Sequence, residues 1–290
     1  MAAFKEIKER IQSVKTTQKI TAAMKMVSAA KLNKAQKNIA GMLPYSNALH
    51  HILRSVLAAG EDFYTPLSEE RTPERVAIIA FSSDSSLAGS FNSNVIKEFR
   101  KTLSAYEHLP KENILIYTIG KKIFEAARKS GYAVTRYFEG LAAKPDYDTI
   151  AAFTGELITL FNRKAIDRVE VVYHHFKSAG VQILTRENFL PLTLPALENT
   201  ATKRTLASYL LEPSQETILA ELLPKSLKLK LYTILLDSNA SEHAARVVAM
   251  QTATDNADEL IGELVIAYNK SRQQAITNEL LDMIGGTMKN

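Results

Sequence analysis

The stretch "ATDNADELIGEL", residues 253–264, is rich in Thr, Asn and Asp, which commonly cap helices or form turns. Apolar residues nevertheless continue through it at helical steps, which places them on one stripe of a helix. These apolar residues are Ala253, Ala257, Leu260 and Leu264. The polar residues that lie off the stripe are Thr254, Asp255, Asp258 and Glu259. Because no proline enforces a break, we predict one helix that continues through the whole stretch.

The stripe extends to both sides of this stretch. Its predicted members are Met250, Ala253, Ala257, Leu260, Leu264, Ala267 and Ser271, with Ile261, Val265 and Tyr268 widening it. We expect this helix to run from about residue 241 to 284, with Ser241 as its N-cap. The preceding segment "EPSQETILAELLPKSLKLKLYTILL" (212–236) is predicted to be helical as well.

The N-terminus shows a matching pattern. Its apolar residues are Phe4, Ile7, Ile11 and Val14, followed after a shift by Ile20, Met24 and Val27. All nine prolines lie between Pro44 and Pro224, and proline in a helix interior costs about 3 kcal/mol. We therefore predict a second long helix over residues 4–57. Polar residues such as Gln18 and Thr21 make its stripe narrow and partly polar.

The two ends of the chain carry opposite charge. Residues 1–40 contain nine Lys or Arg against two Glu, whereas residues 212–290 contain seven basic and eleven acidic side chains. Opposite charges favour pairing, although an exposed ion pair contributes only about 0 to 1 kcal/mol. We predict that residues 1–60 and 210–290 form an antiparallel coiled coil, in which packing along the stripe dominates.

The middle of the chain alternates strand-like and helix-like segments. Strands are predicted at 75–81, 113–119, 132–138 and 168–176, with one more after Gly180, and helices at 93–103, 121–130 and 147–164. This order is typical of a mostly parallel sheet covered by helices. We therefore predict an α/β protein with a central domain over residues 70–195, joined to the long antiparallel coiled coil.

A ligand of such a sheet would bind where the first strand runs into "SSDSSLAGSFNSNV" (82–95). A phosphate cradle needs several glycines in fixed order, and this loop has only Gly89. We interpret it as a polar connection in which Ser90 or Asn92 caps the next helix. His174 and His175 adjoin in a predicted strand, so they point to opposite faces and cannot share a metal. We predict no catalytic residue, cofactor site or metal site.

Composition limits the remaining classes of function. The 290 residues include no cysteine, which excludes thiol chemistry, and no run is apolar enough to span a membrane. The N-terminus lacks the apolar core of a signal peptide, so we expect a cytoplasmic protein. The basic N-terminal helix leaves nucleic-acid binding as an alternative, but no aromatic residues interleave with its cations for base stacking.

Two long segments resemble a known family. "KEIKERIQSVKTTQKITAAMKMVSAAKLNKAQ" (5–36) and "SEHAARVVAMQTATDNADELIGELVIAYNKSRQQAITNELLDMIGG" (241–286) are similar to the terminal signatures of the gamma subunit of F-type ATP synthases. "SFNSNVI" and "EPSQETILAELLP" add to the match, which covers essentially the whole chain.

The resemblance implies a central rotor stalk without catalytic residues. In that family the paired terminal helices enter a ring of three alpha and three beta subunits, and the α/β domain lies with the epsilon subunit and the membrane c-ring. Ion flow turns the c-ring and stalk, and rotation drives ATP synthesis on the beta subunits. The resemblance thus implies a peripheral protein at the cytoplasmic face of the bacterial inner membrane, with no membrane span and no nucleic-acid partner.

The resemblance also implies interface residues. Met24 corresponds to a helix contact, and Arg272, Gln273 and Thr277 in "SRQQAIT" correspond to positions that meet the catch region of a beta subunit. For each of them, packing between the two helices is the alternative. The chain departs from the family in one loop, where "DSSLAGSFN" (84–92) stands for the common "DRGLCGGFN".

Overall fold

The computed structural model describes residues 2–59, 65–192 and 212–287. The chain divides into two compact units, of which the first comprises Met1–Ala30 with Arg246–Asn290 and the second Lys31–Ala245. Two long helices, α1 (Ala2–Ala59) and α5 (Gln215–Thr287), contribute to both units. Of the predicted segments 1–60, 70–195 and 210–290, residues 1, 60, 193–195, 210–211 and 288–290 lie outside the described residues.

Helix α5 is continuous through residues 253–264, which confirms the prediction made for that stretch. The predicted N-cap at Ser241 is wrong, because Ser241 lies inside the helix and is fully buried. Its hydroxyl donates a hydrogen bond of 3.2 Å to the backbone oxygen of His174. Ser241 therefore does not begin a helix, but joins the middle of α5 to strand β4.

The second unit contains a five-stranded sheet in the order β3-β2-β1-β4-β5. Its strands are β1 (Val76–Phe81), β2 (Ile114–Ile119), β3 (Val134–Phe138), β4 (Arg168–Ser178) and β5 (Val181–Leu190). The first four are parallel, and β5 pairs antiparallel with β4. The predicted mostly parallel sheet is confirmed, since each predicted strand overlaps an observed one.

Both faces of the sheet are covered. Three helices connect the parallel strands: α2 (Phe91–Ser104), α3 (Lys121–Lys129) and α4 (Tyr147–Asn162). One face packs against α2 and α3, and the other against α4 and against residues of α1 and α5 that belong to this unit. All six residues of β1 are buried, as expected for the central strand of a sheet covered on both sides.

In the first unit the two long helices form an antiparallel pair. The rings of Phe4 and Tyr268 stack with their centroids 4.6 Å apart. Farther along, Thr21 and Thr254 form a hydrogen bond of 2.8 Å, so the numbering of α5 falls as that of α1 rises. The least exposed residues of α1 in this unit recur in steps of three and four: Phe4, Ile7, Ile11, Val14, Gln18, Thr21, Lys25 and Ser28. We call this stripe the α1 seam.

The second half of the α1 seam is polar, as expected, but its register differs from the prediction. Ile20 and Val27 were expected in the seam, but they are 54% and 57% exposed. Gln18 and Thr21 lie in the seam instead, and Thr21 is buried. The prediction of the register failed because the regular three-and-four spacing from Phe4 leads to the polar residues Gln18 and Thr21. A count of apolar residues alone selects Ile20 and Val27, which lie outside the seam.

Helix α5 shows related corrections in the first unit. Thr254 and Asp258 were predicted to lie off the stripe, yet Thr254 bonds to Thr21 and Asp258 accepts a hydrogen bond from Gln18. Conversely, Val265 and Ala267 were predicted on the stripe and are exposed. The third polar contact joins Lys25 Nζ to Gln251 Oε1 at 2.8 Å. Each of the three contacts includes a neutral side chain. The opposite net charges of the two ends of the chain therefore form no Lys–Glu ion pair in these contacts.

The seam register can be tested with one chemical change at two places. Ile11→Ala should lower the free energy of unfolding by about 1 to 2 kcal/mol, because it truncates a half-buried seam residue. Ile20→Ala removes the same atoms from an exposed position and should cost less than about 0.5 kcal/mol. Urea denaturation of the full-length chain, followed by circular dichroism, measures both. Equal costs would contradict the observed register.

Candidate functional site

The loop between β1 and α2 occupies the usual ligand position of an α/β sheet. Strands β2 and β3 lie on one side of β1 and β4 lies on the other, so the order in which strands are added to the sheet reverses at β1. In open α/β sheets, ligands bind at the carboxyl ends of the strands at such a reversal. The free N–H groups at the start of a nearby helix would then be available to hold a phosphate.

Here the loop itself occupies the start of helix α3. The first three N–H groups of α3 each donate a hydrogen bond to the loop. The bonds run from Lys121, Lys122 and Ile123 to Asp84 Oδ1, Ser83 O and Ser82 Oγ, at 3.0, 3.2 and 2.9 Å. Because these donors are already satisfied, this helix start offers no phosphate cradle. The interpretation of the loop as a polar structural connection is therefore supported by its contacts.

The predicted cap of α2 is wrong in its details. Ser90 occupies the N-cap position with helical backbone angles, and its side chain makes no capping hydrogen bond. Asn92 instead accepts hydrogen bonds from the backbone N–H and the hydroxyl of Ser83, at 3.1 and 2.9 Å. Since Ser90 has a φ of −81°, the glycine of the family pattern is not required at this position.

The loop and α3 meet at Gly120. This residue has a φ of +102°, and a Cβ atom placed on it would lie 2.1 Å from the backbone oxygen of Ser82. Only glycine can adopt this backbone conformation and allow so close an approach. Gly120 therefore allows the loop after β1 to lie against the start of α3, where it occupies the usual ligand position.

The adjacent histidines of β4 lie in different surroundings, as predicted. His174 is buried and stacks on Phe91 with ring centroids 4.5 Å apart, and burial lowers its pKa to about 4. His175 Nδ1 lies 2.6 Å from Asp237 Oδ2, and burial raises the pKa of Asp237. Within residues 2–59, 65–192 and 212–287, no group of three or more His, Asp or Glu is arranged to hold a metal.

Sequence reasoning missed one buried charged cluster. Glu170 on β4 accepts hydrogen bonds from Arg186 Nε and Nη2 on β5, at 2.7 and 3.0 Å, and a further one from the hydroxyl of Tyr106. Burial, and then the bond to Glu170, raises the pKa of Tyr106. The residues are too far apart in sequence to form a motif. The cluster fixes the edge strand to the segment that follows α2 and leaves no free acid for chemistry.

The predicted interface residues lie in the first unit. Arg272, Gln273 and Thr277 are exposed on α5, and the Thr277 hydroxyl donates a hydrogen bond of 2.9 Å to the backbone oxygen of Gln273. Met24 lies on α1 and is half-buried. Three of the four thus lie within two turns of α5, and Gln273 and Thr277 lie on the same face of the helix.

The same unit exposes more apolar side chains than the sequence reading indicated. Ile266 is 72% exposed and Met26 is 65% exposed. Others are Ile20, Val27, Val248, Val265, Ile276, Leu280 and Leu281. An apolar residue one or two positions away from the seam indicates such an exposed side chain. This pattern can be recognised only after the seam register is known.

Comparison with known proteins assigns the family. A sequence model described as ATP synthase matches residues 3–288. The chain is 54% identical over 289 residues to an ATP synthase gamma chain of Bacteroides fragilis, covering 99% of this chain and 100% of the relative. It is 49% identical over 288 residues to that of Phocaeicola vulgatus, with the same coverage. The chain belongs to the ATP synthase gamma chain family.

Solved structures agree with this fold. The chain resembles a rotor chain of the Euglena gracilis mitochondrial ATP synthase, with a TM-score of 0.64, 18% identity and coverage of 95% and 99% of the two chains. It also resembles a chain from the central stalk and c-ring of the Tetrahymena thermophila enzyme, with a TM-score of 0.58, 22% identity and coverage of 81% and 99%. At these identities the likeness concerns the fold.

Gamma chains are non-catalytic rotor subunits of the central stalk, and ATP is made or hydrolysed on other subunits. The chain is accordingly a non-catalytic, gamma-type subunit of an ATP synthase. The comparisons do not support the alternative of a nucleic-acid-binding coiled coil. Among the described residues, no helix has both the length and the apolar character to cross a membrane.

The close approach of Ser82 to Gly120 can be tested by substitution of the glycine. Gly120→Ala should lower the free energy of unfolding by about 2 kcal/mol or more, because it forces an unfavourable φ and a clash with Ser82. Gly155→Ala is the matched control: Gly155 lies within α4 with no atom within 4 Å of an added Cβ, and alanine there should stabilise by about 0.5 to 1 kcal/mol. Urea denaturation compares the two. A stable Gly120→Ala variant would contradict the close approach.

Proposed function

We propose that the chain acts as the shaft of a bacterial ATP synthase, with residues 1–60 and 210–290 as the stalk and residues 70–195 as the α/β domain. Its partners are the alpha and beta subunits around the stalk, the epsilon subunit and the c-ring. The observation that carries this proposal is the match over essentially the full length to bacterial gamma chains. Support also comes from the solved neighbours, one of which is a rotor chain and the other a chain of a central stalk and c-ring.

The surface of the first unit suits a shaft that turns within a ring of subunits. Half-buried apolar residues pack in one half of its seam and hydrogen bonds join the polar half, so the two helices contact each other along the seam. Its exposed apolar residues are scattered among Lys, Glu, Gln and Thr. Such a mixed surface offers both apolar and polar contacts to a surrounding ring of subunits.

Four residues are proposed as the partner interface. Gln273, Thr277 and Arg272 present an amide, a hydroxyl and a guanidinium on the exposed surface of α5, which suits hydrogen bonds to a beta subunit. Met24 is half-buried on α1, so part of its side chain remains available for an apolar contact. We place the whole assembly at the cytoplasmic face of the inner membrane, where this chain is held peripherally by its partners.

Co-purification tests the assignment. Native membranes are washed at low ionic strength, and the proteins released with this chain are identified. We expect an assembly that contains alpha and beta subunits and hydrolyses ATP, and an epsilon subunit in the same fraction. Recovery of the chain only with nucleic acid would contradict the rotor assignment.

A double substitution tests the interface on α5. Gln273→Leu with Thr277→Val should reduce ATP synthesis in inverted membrane vesicles about fivefold, which corresponds to roughly 1 kcal/mol of lost hydrogen bonding to a partner. Circular dichroism should show an unchanged fold, because both side chains are exposed.

The matched control is Thr159→Val on α4. Thr159 is exposed and donates the same kind of bond, to the backbone oxygen of Gly155 at 2.9 Å, but it lies in the other unit. It should leave ATP synthesis unchanged. Unaffected synthesis in the double variant would overturn the assignment of these residues.

A further inference from the structure

The second unit contains a cavity to which the proposed function assigns no role. It has a volume of about 760 Å³ and lies between α1, α5 and the strands β4 and β5. Pockets that bind small molecules typically have volumes of about 300 to 1,000 Å³. The cavity is therefore large enough for a small organic ligand.

Two polar stripes line opposite walls of this cavity. On α1 the stripe consists of Asn47, His50 and Arg54, and all three side chains are exposed. On α5 it consists of Ser226, Lys230 and Thr233, which are half-buried. In both helices these residues are three and four positions apart, so each stripe faces one side.

The deeper lining is apolar. Leu53 lies beneath the stripe of α1, and Leu223, Leu227 and Ile234 lie beneath the stripe of α5. All four belong to the core that packs on the sheet, together with Tyr173 of β4. A ligand that enters between the polar stripes would therefore meet a hydrocarbon surface. This arrangement favours an apolar body with a polar end.

The charges of the cavity favour an anion with a single negative charge. Both lining acids already have partners: Glu187 lies 3.4 Å from Lys230 Nζ, and Asp237 lies 2.6 Å from His175. Arg54 has no ion-pair partner among residues 2–59, 65–192 and 212–287. With one guanidinium unpaired, the site suits a monoanion better than a polyphosphate, and the two engaged acids disfavour a cation.

We propose that this cavity binds a small amphiphilic carboxylate. The carboxylate accepts hydrogen bonds from the guanidinium of Arg54, with the imidazole of His50 beside it one helical turn away. The hydrocarbon body lies on the leucine side chains beneath. Such a ligand would bind between the two helices and the sheet that they cover, and so would stabilise this unit of the rotor.

Octanoate is a suitable probe, and isothermal titration calorimetry with the full-length chain measures its binding. We expect one site with a dissociation constant on the order of 0.1 to 1 mM, as for an efficient ligand of ten non-hydrogen atoms. Octanamide, which has the same body without the charge, should bind at least about tenfold more weakly. Equal affinities for the two compounds, or no binding of octanoate at 10 mM (roughly ten times the weakest expected constant), would overturn the proposal.

Two arginine variants separate this site from general charge effects. Arg54→Gln should weaken octanoate binding about tenfold, because the charge-assisted contact is lost while a polar, uncharged side chain remains. Arg100→Gln removes the same charge from an exposed position on α2 outside the cavity and should leave the affinity unchanged. Circular dichroism confirms the fold of both. An undiminished affinity in Arg54→Gln would overturn the proposal.

The histidine rings locate the ligand. Proton NMR spectra during the titration should show shifts of the imidazole signals of the three histidines that line the cavity, His50, His51 and His175, and the His50→Gln variant assigns the first of them. His108, which lies beside Tyr106 and outside the cavity, should not shift. Shifts confined to other histidines would show that octanoate binds elsewhere and would overturn the assignment.

Discussion

The pairing of α1 with α5 is the interaction on which the rest of the molecule depends. In the first unit this pairing provides the only core, because no sheet is present there among the described residues. In the second unit the same two helices form part of the layer on one face of the sheet. Through α1 the least exposed residues recur in steps of three and four from Phe4 to Val56. A left-handed coiled coil requires this spacing. The repeat of three and four residues therefore determines which side chains face the other helix and which remain available for partners.

The polar part of this seam has a physical cost and a use. An apolar pair at the position of Thr21 and Thr254 would stabilise the helices more, since a net hydrogen bond contributes only about 0.5 to 1.5 kcal/mol. A hydrogen bond, however, requires a defined partner at a defined height along the helix. The Thr21–Thr254, Gln18–Asp258 and Lys25–Gln251 contacts therefore favour one register over a slipped one. Specific alignment matters for helices that transmit torque.

Much of the fold could be predicted from the sequence because it depends on local patterns. The apolar run at 76–81 indicated a buried strand, and the lack of proline around 253–264 indicated a continuous helix, and both were confirmed. The register of the seam beyond Val14 was misread, since a count of apolar residues alone passes over Gln18 and Thr21, whose partners lie on the other helix, more than 200 positions away. For the same reason the cluster around Glu170 was missed, because Tyr106 lies 64 positions from it. Of the proposed interface, the sequence indicated the positions on α5, but their contacts depend on other subunits.

The satisfied N–H groups at the start of α3 have a consequence for an enzyme that handles nucleotides. An α/β sheet with an open helix start would attract ADP, ATP and phosphate, the very compounds that the catalytic subunits consume and release. Asp84, Ser82 and the backbone of Ser83 occupy that position permanently, and Gly120 allows the chain to pass close enough for them to do so. The start of α3 therefore offers these compounds no free N–H group, and we expect this subunit not to compete with the catalytic subunits for them at that position.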